Sequence, residues 1–227
     1  MKFAVVQHAL RPAPAQDLEA LVLAVVRAAA MGAAVVFLPD LPAIYEGPLA
    51  DELVRRIAAE APSVEIVTAQ RAEDAPAHLT TTATALLGSG IVLVGDDAID
   101  LDVLRSSAAE RPGVLLLAPG AESELQSQAV TELAIALSTS LASLVLVAET
   151  DGAELGEAGH GGSAIVHLGQ VLAEATAGDD LLLADVVTPL GPPEAPEAMP
   201  EIPPVLLQRL AAHRGRKLDV AYPADLD

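Results

Sequence analysis

Four polar residues with acid–base chemistry stand at the ends of apolar segments of this sequence. His8 and Asp40 each come directly after such a segment, Glu149 ends a third, and His160 stands in a loop just before a fourth. Imidazoles and carboxylates can exchange protons near neutral pH or bind a ligand or metal ion. These four are therefore the candidate ligand-binding residues. The alternative is that each is a solvated loop residue.

The segments around these residues alternate between short apolar runs and amphipathic stretches, which predicts an α/β fold. Helices are predicted at 17–30, with Asp17 as the N-cap, and at 49–59, 122–140 and 205–213, with a shorter helical piece near 101–104. Strands are predicted at 3–7, 34–38, 64–69, 83–87, 91–94, 114–117, 144–148, 162–167, 170–175 and 181–186. Ligands bind at the carboxyl ends of strands in open α/β sheets, so we expect the candidates at one edge of the sheet.

The amino-acid composition limits the classes of function that this protein can have. The 227 residues are 52% hydrophobic but only 2% aromatic, so the core must consist mostly of Ala, Val and Leu. A formal net charge of −20 argues against binding to nucleic acid or to anionic membranes. No signal peptide or membrane-spanning run is evident, so we expect a cytoplasmic location. We assign no cofactor and no metal, and we divide the chain into a domain at 1–190 and a Pro-rich connector, short helix and tail at 191–227.

Three stretches resemble a known family. They are residues 1–7 (MKFAVVQ), residues 32–40 (GAAVVFLPD) and residues 161–175 (GGSAIVHLGQVLAEA). The last contains Gly-Gly-Ser followed by a turn and Val-Leu-Ala. Together these stretches resemble the nitrilase, or carbon–nitrogen hydrolase, superfamily. The resemblance implies an α-β-β-α sandwich, here with a shortened central segment, that pairs into a homodimer or higher homo-oligomer.

The same resemblance implies which residues would carry catalysis. The family cleaves amides and nitriles with a Glu base, a Lys and a nucleophilic Cys. Asp40 occupies the position of the Glu with a side chain one methylene shorter, and the lysines, Lys2 and Lys217, lie near the two ends of the chain. The sequence contains no cysteine, so thiol catalysis is impossible. Ser163 matches a residue that the family uses structurally, although a nucleophilic role is the alternative.

These observations favour a catalytically inactive member with a structural or regulatory role, acting through dimerisation or a protein partner. The alternative is a rewired hydrolase, or a protein that binds a small ligand or metal, using Asp40, His8, Glu149 and His160. A third and weaker possibility is an active amidohydrolase. The basic residues Arg209, Arg214, Arg216 and Lys217 could dock on an acidic surface of a sister subunit.

Overall fold

Two β-sheets packed face to face form the centre of the molecule. The computed structural model describes residues 1–45, 48–69, 80–82, 90–152, 155, 159–175, 177–187 and 202–211. The strands are β1 (Lys2–Ala9), β2 (Val35–Leu38), β3 (Glu65–Thr68), β4 (Thr80–Thr82), β5 (Gly90–Val94), β6 (Val114–Ala118), β7 (Leu144–Val147), β8 (Thr150–Asp151), β9 (Ala164–His167), β10 (Gln170–Glu174) and β11 (Asp180–Asp185). The helices are α1 (Pro14–Ala30), α2 (Pro42–Tyr45), α3 (Pro48–Glu60), α4 (Leu101–Ala109), α5 (Glu124–Leu141) and α6 (Pro204–Ala211), with a 3₁₀ turn at Gly95–Ala98.

The first sheet has the strand order β11-β1-β2-β3, and the short strand β8 also pairs with β1. Strands β1, β2 and β3 are parallel, whereas β11 runs antiparallel to β1. Strand β2 is buried along its whole length. A strand between two covered faces needs apolar residues on both, which explains its unbroken Val-Val-Phe-Leu sequence.

The second sheet has the order β10-β9-β7-β6-β5-β4. Its central strands β5, β6 and β7 are parallel and are connected through α4 and α5, as parallel pairing requires. Strands β9 and β10 form an antiparallel hairpin across Leu168 and Gly169, the predicted tight turn. The predicted strand at 83–87 lies outside the described residues.

Alternating side chains divide the interior into three layers. Phe3 and Val5 of β1 point between the two sheets, while Ala4 and Val6 point toward α1 and its neighbours. On the far side, α4, α5 and α6 cover the second sheet with an apolar cluster that includes Leu133. Both phenylalanines of the chain lie in the layer between the sheets. The predicted α/β class and α-β-β-α sandwich are therefore confirmed.

The start of the first helix differs from the prediction. Helix α1 begins at Pro14 rather than at Asp17, and extended Ala13 precedes it without a side-chain cap. Proline suits a first-turn position because its missing N–H would have no helical acceptor there. Asp17 is thus a buried residue inside the first turn, and its carboxylate is free to bind other groups.

Two short strands, β4 and β8, were not predicted, because each has only two or three residues. Helix α6 does form where a short C-terminal helix was predicted. It packs Leu206 and Leu210 into the cluster under the second sheet. Of the helices in the described ranges, none is both long and apolar enough to cross a membrane.

Candidate functional site

The carboxyl ends of β1 and β7 meet at one edge of the sandwich. After β7 the chain crosses between the sheets and forms β8, which pairs in parallel with the last residues of β1. At the crossing, the backbone N–H of His8 lies 3.4 Å from the carbonyl oxygen of Glu149, which accepts its hydrogen bond. The structure thus brings these two predicted residues together through their backbones. Their side chains lie in different environments.

His8 belongs to a charged cluster beneath α1. Its imidazole is 1% exposed, and Nε2 lies 2.7 Å from Oδ1 of Asp17. An ionised carboxylate only accepts hydrogen bonds, so Nε2 carries the proton and donates it to Asp17. Nη1 of Arg11 lies 3.3 Å from both ring nitrogens, and Oδ1 of Asp179 lies 3.5 Å from Nδ1. We call His8, Arg11, Asp17 and Asp179 the His8 cluster.

Burial dominates the electrostatics of this histidine. It lowers the pKa of His8 because the imidazolium would lose its hydration, while the hydrogen bond and charge of Asp17 oppose the shift. The Arg11 guanidinium lowers the pKa further, and Asp179 raises it. The imidazole therefore stays neutral near pH 7 although two carboxylates face it.

The His8 cluster also fixes the turn that precedes β11. Oδ1 of Asp179 accepts a hydrogen bond from the backbone N–H of Ala9 at 2.9 Å, and its Oδ2 pairs with Nη2 of Arg11 at 2.5 Å. In the same turn, Gly178 donates its N–H to Asp151 and accepts from the side chain of Gln7. We call residues 177–179 the Asp179 turn. These hydrogen bonds hold it over the end of β1.

Glu149 lies in a different setting, among neutral groups. Its carboxylate is buried, and its two oxygens lie 3.1 and 3.3 Å from the backbone nitrogen of Ala121. Burial raises the pKa of Glu149 to about 8, although hydrogen bonds from the backbones of Ala121 and Gly120 oppose that rise. The carboxyl is therefore mainly protonated at pH 7. We call Glu149, Gly120 and Ala121 the Glu149 cradle.

Ser163 supports the cradle from the start of β9. Its side-chain oxygen accepts the N–H of Glu149 at 2.9 Å, and its own N–H binds Oε1 of Gln7 at 2.9 Å. Since Nε2 of Gln7 binds the carbonyl of Gly178, the cradle is connected with the Asp179 turn by a continuous series of hydrogen bonds. These contacts are what a structural serine makes.

Asp40 follows β2 at the same edge and is half-buried. Nearby, the buried Tyr45 donates its hydroxyl to the carbonyl of Pro39 at 2.6 Å. Burial raises the pKa of Tyr45 well above its ordinary value, and the charge of Asp40 adds to the rise. The side chain of His8 points away from the layer between the sheets, toward α1, where it binds Asp17.

His160 is half-buried and forms an isolated antiparallel bridge with Asp151, directly beside the end of β1. It therefore lies near His8 and Glu149 along the backbone. Across the described ranges, no group of three or more His, Asp or Glu side chains is arranged so that it could hold a metal ion. The predicted roles of Asp40, His8, Glu149 and His160 stay predictions.

Lys2 lies at the opposite edge from these residues. It begins β1, and its Nζ donates to the carbonyl of Met31 at 2.9 Å, near the end of α1. A cation at the amino end of β1 is separated by the length of the strand from the site at its carboxyl end. Three of the predicted basic residues lie outside the described residues: Arg214, Arg216 and Lys217.

Sequence reasoning missed the partners of His8. Asp17 offered the clearest signal, because it precedes Leu21 by four residues and so shares the apolar face of α1. A carboxylate on the buried face of a helix needs a donor. Asp179 had no such signal, since only the tertiary fold brings it to Arg11.

No protein-family model matches this sequence, and no curated protein matches it. Solved structures do match the fold. One is the NitN amidase from Nesterenkonia sp. AN1, with a TM-score of 0.66 and 20% sequence identity over 82% of this chain and 93% of that chain. A second structure of an amidase from Nesterenkonia sp. gives a TM-score of 0.65 and 20% identity over 82% of this chain and 90% of the other.

Further structures of the Nesterenkonia sp. AN1 amidase are variants with small amides. One holds butyramide, with a TM-score of 0.65 and 19% identity over 82% of this chain and 90% of that one. Another shows acrylamide added at the active-site cysteine, with a TM-score of 0.63 and 18% identity over 82% and 93% of the two chains. That amidase is assigned to the nitrilase superfamily. This chain therefore has the fold of nitrilase-superfamily amidases.

Proposed function

We propose that this protein is a carbon–nitrogen hydrolase-fold protein that does not hydrolyse amides and acts by associating with itself or with a protein partner. The observation that carries the proposal is the absence of cysteine from the whole sequence. In the structurally similar amidase, acrylamide adds at an active-site cysteine. A fold without that nucleophile retains its scaffold but loses the covalent chemistry.

The position of Lys2 supports the proposal. A lysine takes part in catalysis only if its ammonium group reaches the reacting atoms. Lys2 is bound to Met31 at the amino edge of the first sheet, whereas Asp40 lies at the carboxyl edge. Lys2 is therefore too far from Asp40 to replace a catalytic lysine.

The activity test follows ammonia release from butyramide, acetamide and acrylamide by the purified full-length protein. We expect no release above buffer, with an active amidase as the positive control. Turnover that disappears in Asp40→Asn, but survives in the surface variant Arg55→Gln, would contradict the proposal. Arg55 suits the control because it pairs with Glu52 on the exposed face of α3.

Association is the positive part of the proposal. The family resemblance implies pairing through helices, and two helices that cover the second sheet expose apolar side chains, Leu125 on α5 and Val205 on α6. Sedimentation velocity of the full chain should give a dimer or larger species that Leu125→Asp or Val205→Asp weakens. Val54→Asp, on the exposed face of α3, is the matched control. A wild-type monomer at micromolar concentration would rule out self-association.

One observation favours a second candidate, a rewired hydrolase or ligand-binding protein. The protonated Glu149 and the half-buried Asp40 lie at the same edge, so a proton donor and a carboxylate are both present there. This candidate predicts that a small amide binds and that Asp40→Asn or Glu149→Gln weakens the binding. Calorimetric titration with butyramide tests the second candidate: a heat of binding that Asp40→Asn or Glu149→Gln reduces would favour it, because the first candidate acts through protein association and requires no such binding.

A further inference from the structure

The His8 cluster combines features that a purely structural ion pair does not need. A buried, neutral imidazole lies between two carboxylates, and a guanidinium lies against the ring. An arginine and an aspartate alone would suffice to hold the Asp179 turn against β1. The histidine adds a group that changes charge in the weakly acidic range.

Adding a proton to His8 would change two of its contacts in opposite directions. The imidazolium would carry a positive charge 3.3 Å from Nη1 of Arg11, so those groups would repel. The new Nδ1–H would lie 3.5 Å from Oδ1 of Asp179, close enough to form an ion pair after a small movement. Nε2 would keep its hydrogen bond to Asp17.

Arg11 can move toward solvent once it gives up its hydrogen bonds to the carbonyl of Ala9 and to Asp179, at 2.7 and 2.5 Å. It is about one quarter exposed and lines a groove of about 260 Å³ beside α1, together with Arg27, Leu23 and Met31. The charged groups that face the imidazole are Asp17 from α1, Arg11 from the segment before it and Asp179 from the turn before β11. On the β8 side, the neighbour is the backbone carbonyl of Glu149.

We propose that the His8 cluster is a proton-operated clasp, in which proton uptake at His8 displaces Arg11 into the groove beside α1 while a direct His8–Asp179 ion pair keeps the Asp179 turn closed. The clasp converts a change of pH into the exposure of a guanidinium. It leaves the fold intact. It does not depend on whether the protein hydrolyses amides, because it rests only on the contacts within the cluster.

Long-range ¹H–¹⁵N spectra of the imidazole rings test the clasp in the full-length protein. The chain has five histidines, and the spectrum of His8→Gln identifies the signal of His8. At pH 7.5 we expect the Nε2–H tautomer, and at lower pH a doubly protonated ring. Arg11→Gln should move the midpoint of this titration upward by about half a pH unit or more, because it removes the neighbouring cation. The control Arg55→Gln should leave it unchanged.

Amide hydrogen exchange at Ala9 supplies the second readout, because its N–H binds Asp179. Asp179→Asn should accelerate exchange there at neutral pH, whereas Asp185→Asn, at the other end of β11, should not. When His8 of the wild type is protonated, Ala9 should stay protected. A midpoint unaffected by Arg11→Gln would overturn the proposal, and so would loss of Ala9 protection on protonation.

Discussion

The His8 cluster and the Glu149 cradle lie side by side at the carboxyl ends of β1 and β7, yet they keep a buried titratable group neutral in different surroundings. His8 is faced by three charged side chains, whereas Glu149 is held by backbone N–H groups. Burial is the largest influence on both, lowering the pKa of His8 and raising the pKa of Glu149 to about 8. One backbone hydrogen bond joins the two groups.

The difference teaches how polar groups are placed in an aromatic-poor interior. The cluster joins three elements, β1, α1 and the Asp179 turn, through side chains of which Arg11 and Asp179 reach the surface. The cradle joins backbone segments within the protein, so any change in charge there must be met by rearranging the main chain. We therefore expect the cradle to be rigid and sensitive to substitution, and the cluster to tolerate changes of charge.

The largest predicted difference in stability between the two regions comes from substituting one glycine with positive φ in each of them. Gly159, whose N–H binds Ala121 beside the cradle, has φ +102, and an added Cβ would lie 2.5 Å from the backbone oxygen of Thr150. Gly178 in the Asp179 turn has φ +73 and open space around it. Gly159→Ala should destabilise the fold by more than about 3 kcal/mol, and Gly178→Ala by about 1 to 2 kcal/mol. Urea unfolding measures the loss of stability in both variants, and equal losses would contradict the predicted difference between the two regions.

Glu149→Gln should change how stability depends on pH. The pKa of Glu149 is raised above its unfolded value, so its contribution is complete below about pH 4.5 and is lost as pH rises through about 8. Glutamine keeps a hydrogen-bond acceptor without the charge, so the variant should be more stable than the wild type at pH 9, by on the order of a few kcal/mol. Urea unfolding at pH 5, 7 and 9 tests this, with Glu132→Gln as control. If the free energies of unfolding of Glu149→Gln and the wild type differed by the same amount at all three pH values, the prediction would be wrong.

Asp17→Ala should have a smaller effect, with the opposite dependence on pH. It leaves the Nε2–H of His8 and the backbone N–H of Arg11 without their acceptor, which should cost about 1 to 3 kcal/mol at pH 7.5. The pKa of His8 is already lowered by burial, so the contribution of His8 is present above about pH 6.5 and lost as pH falls. Without Asp17 that pKa should fall further, so the deficit should grow once the pH falls below the pKa of His8 in the wild type. Urea unfolding at pH 7.5 and at a series of lower pH values measures the stability deficit of Asp17→Ala relative to the wild type. A deficit that shrinks as the pH falls would contradict this account.

Much of the fold could be predicted from the sequence because its patterns are local. Continuous apolar runs marked β2 and β6, and helical spacing marked α5. The start of α1 could not be placed, because Asp17 is a good N-cap residue and only the bound His8 shows why it is buried instead. The strands β4 and β8 are too short to produce a pattern of their own.

The candidate site was predictable only in outline. Strand ends placed His8 and Glu149 at one edge, where the structure also brings their backbones together. The directions of the side chains were not predictable, since they depend on where the chain crosses from β7 to β8. Asp179 follows Glu149 by thirty positions and reaches Arg11 only through the pairing of β11 with β1.

The central claim, a nitrilase-like fold without covalent amide chemistry, can be tested most directly by intact-mass spectrometry after incubation with fluoroacetamide. A structurally similar amidase variant adds the acetamide moiety of this compound at its active-site cysteine. The account predicts that this protein keeps its unmodified mass, while that amidase variant, treated in parallel, gains the adduct. A stoichiometric adduct on the wild type that is lost in Asp40→Asn would show a working nucleophilic site and contradict the claim.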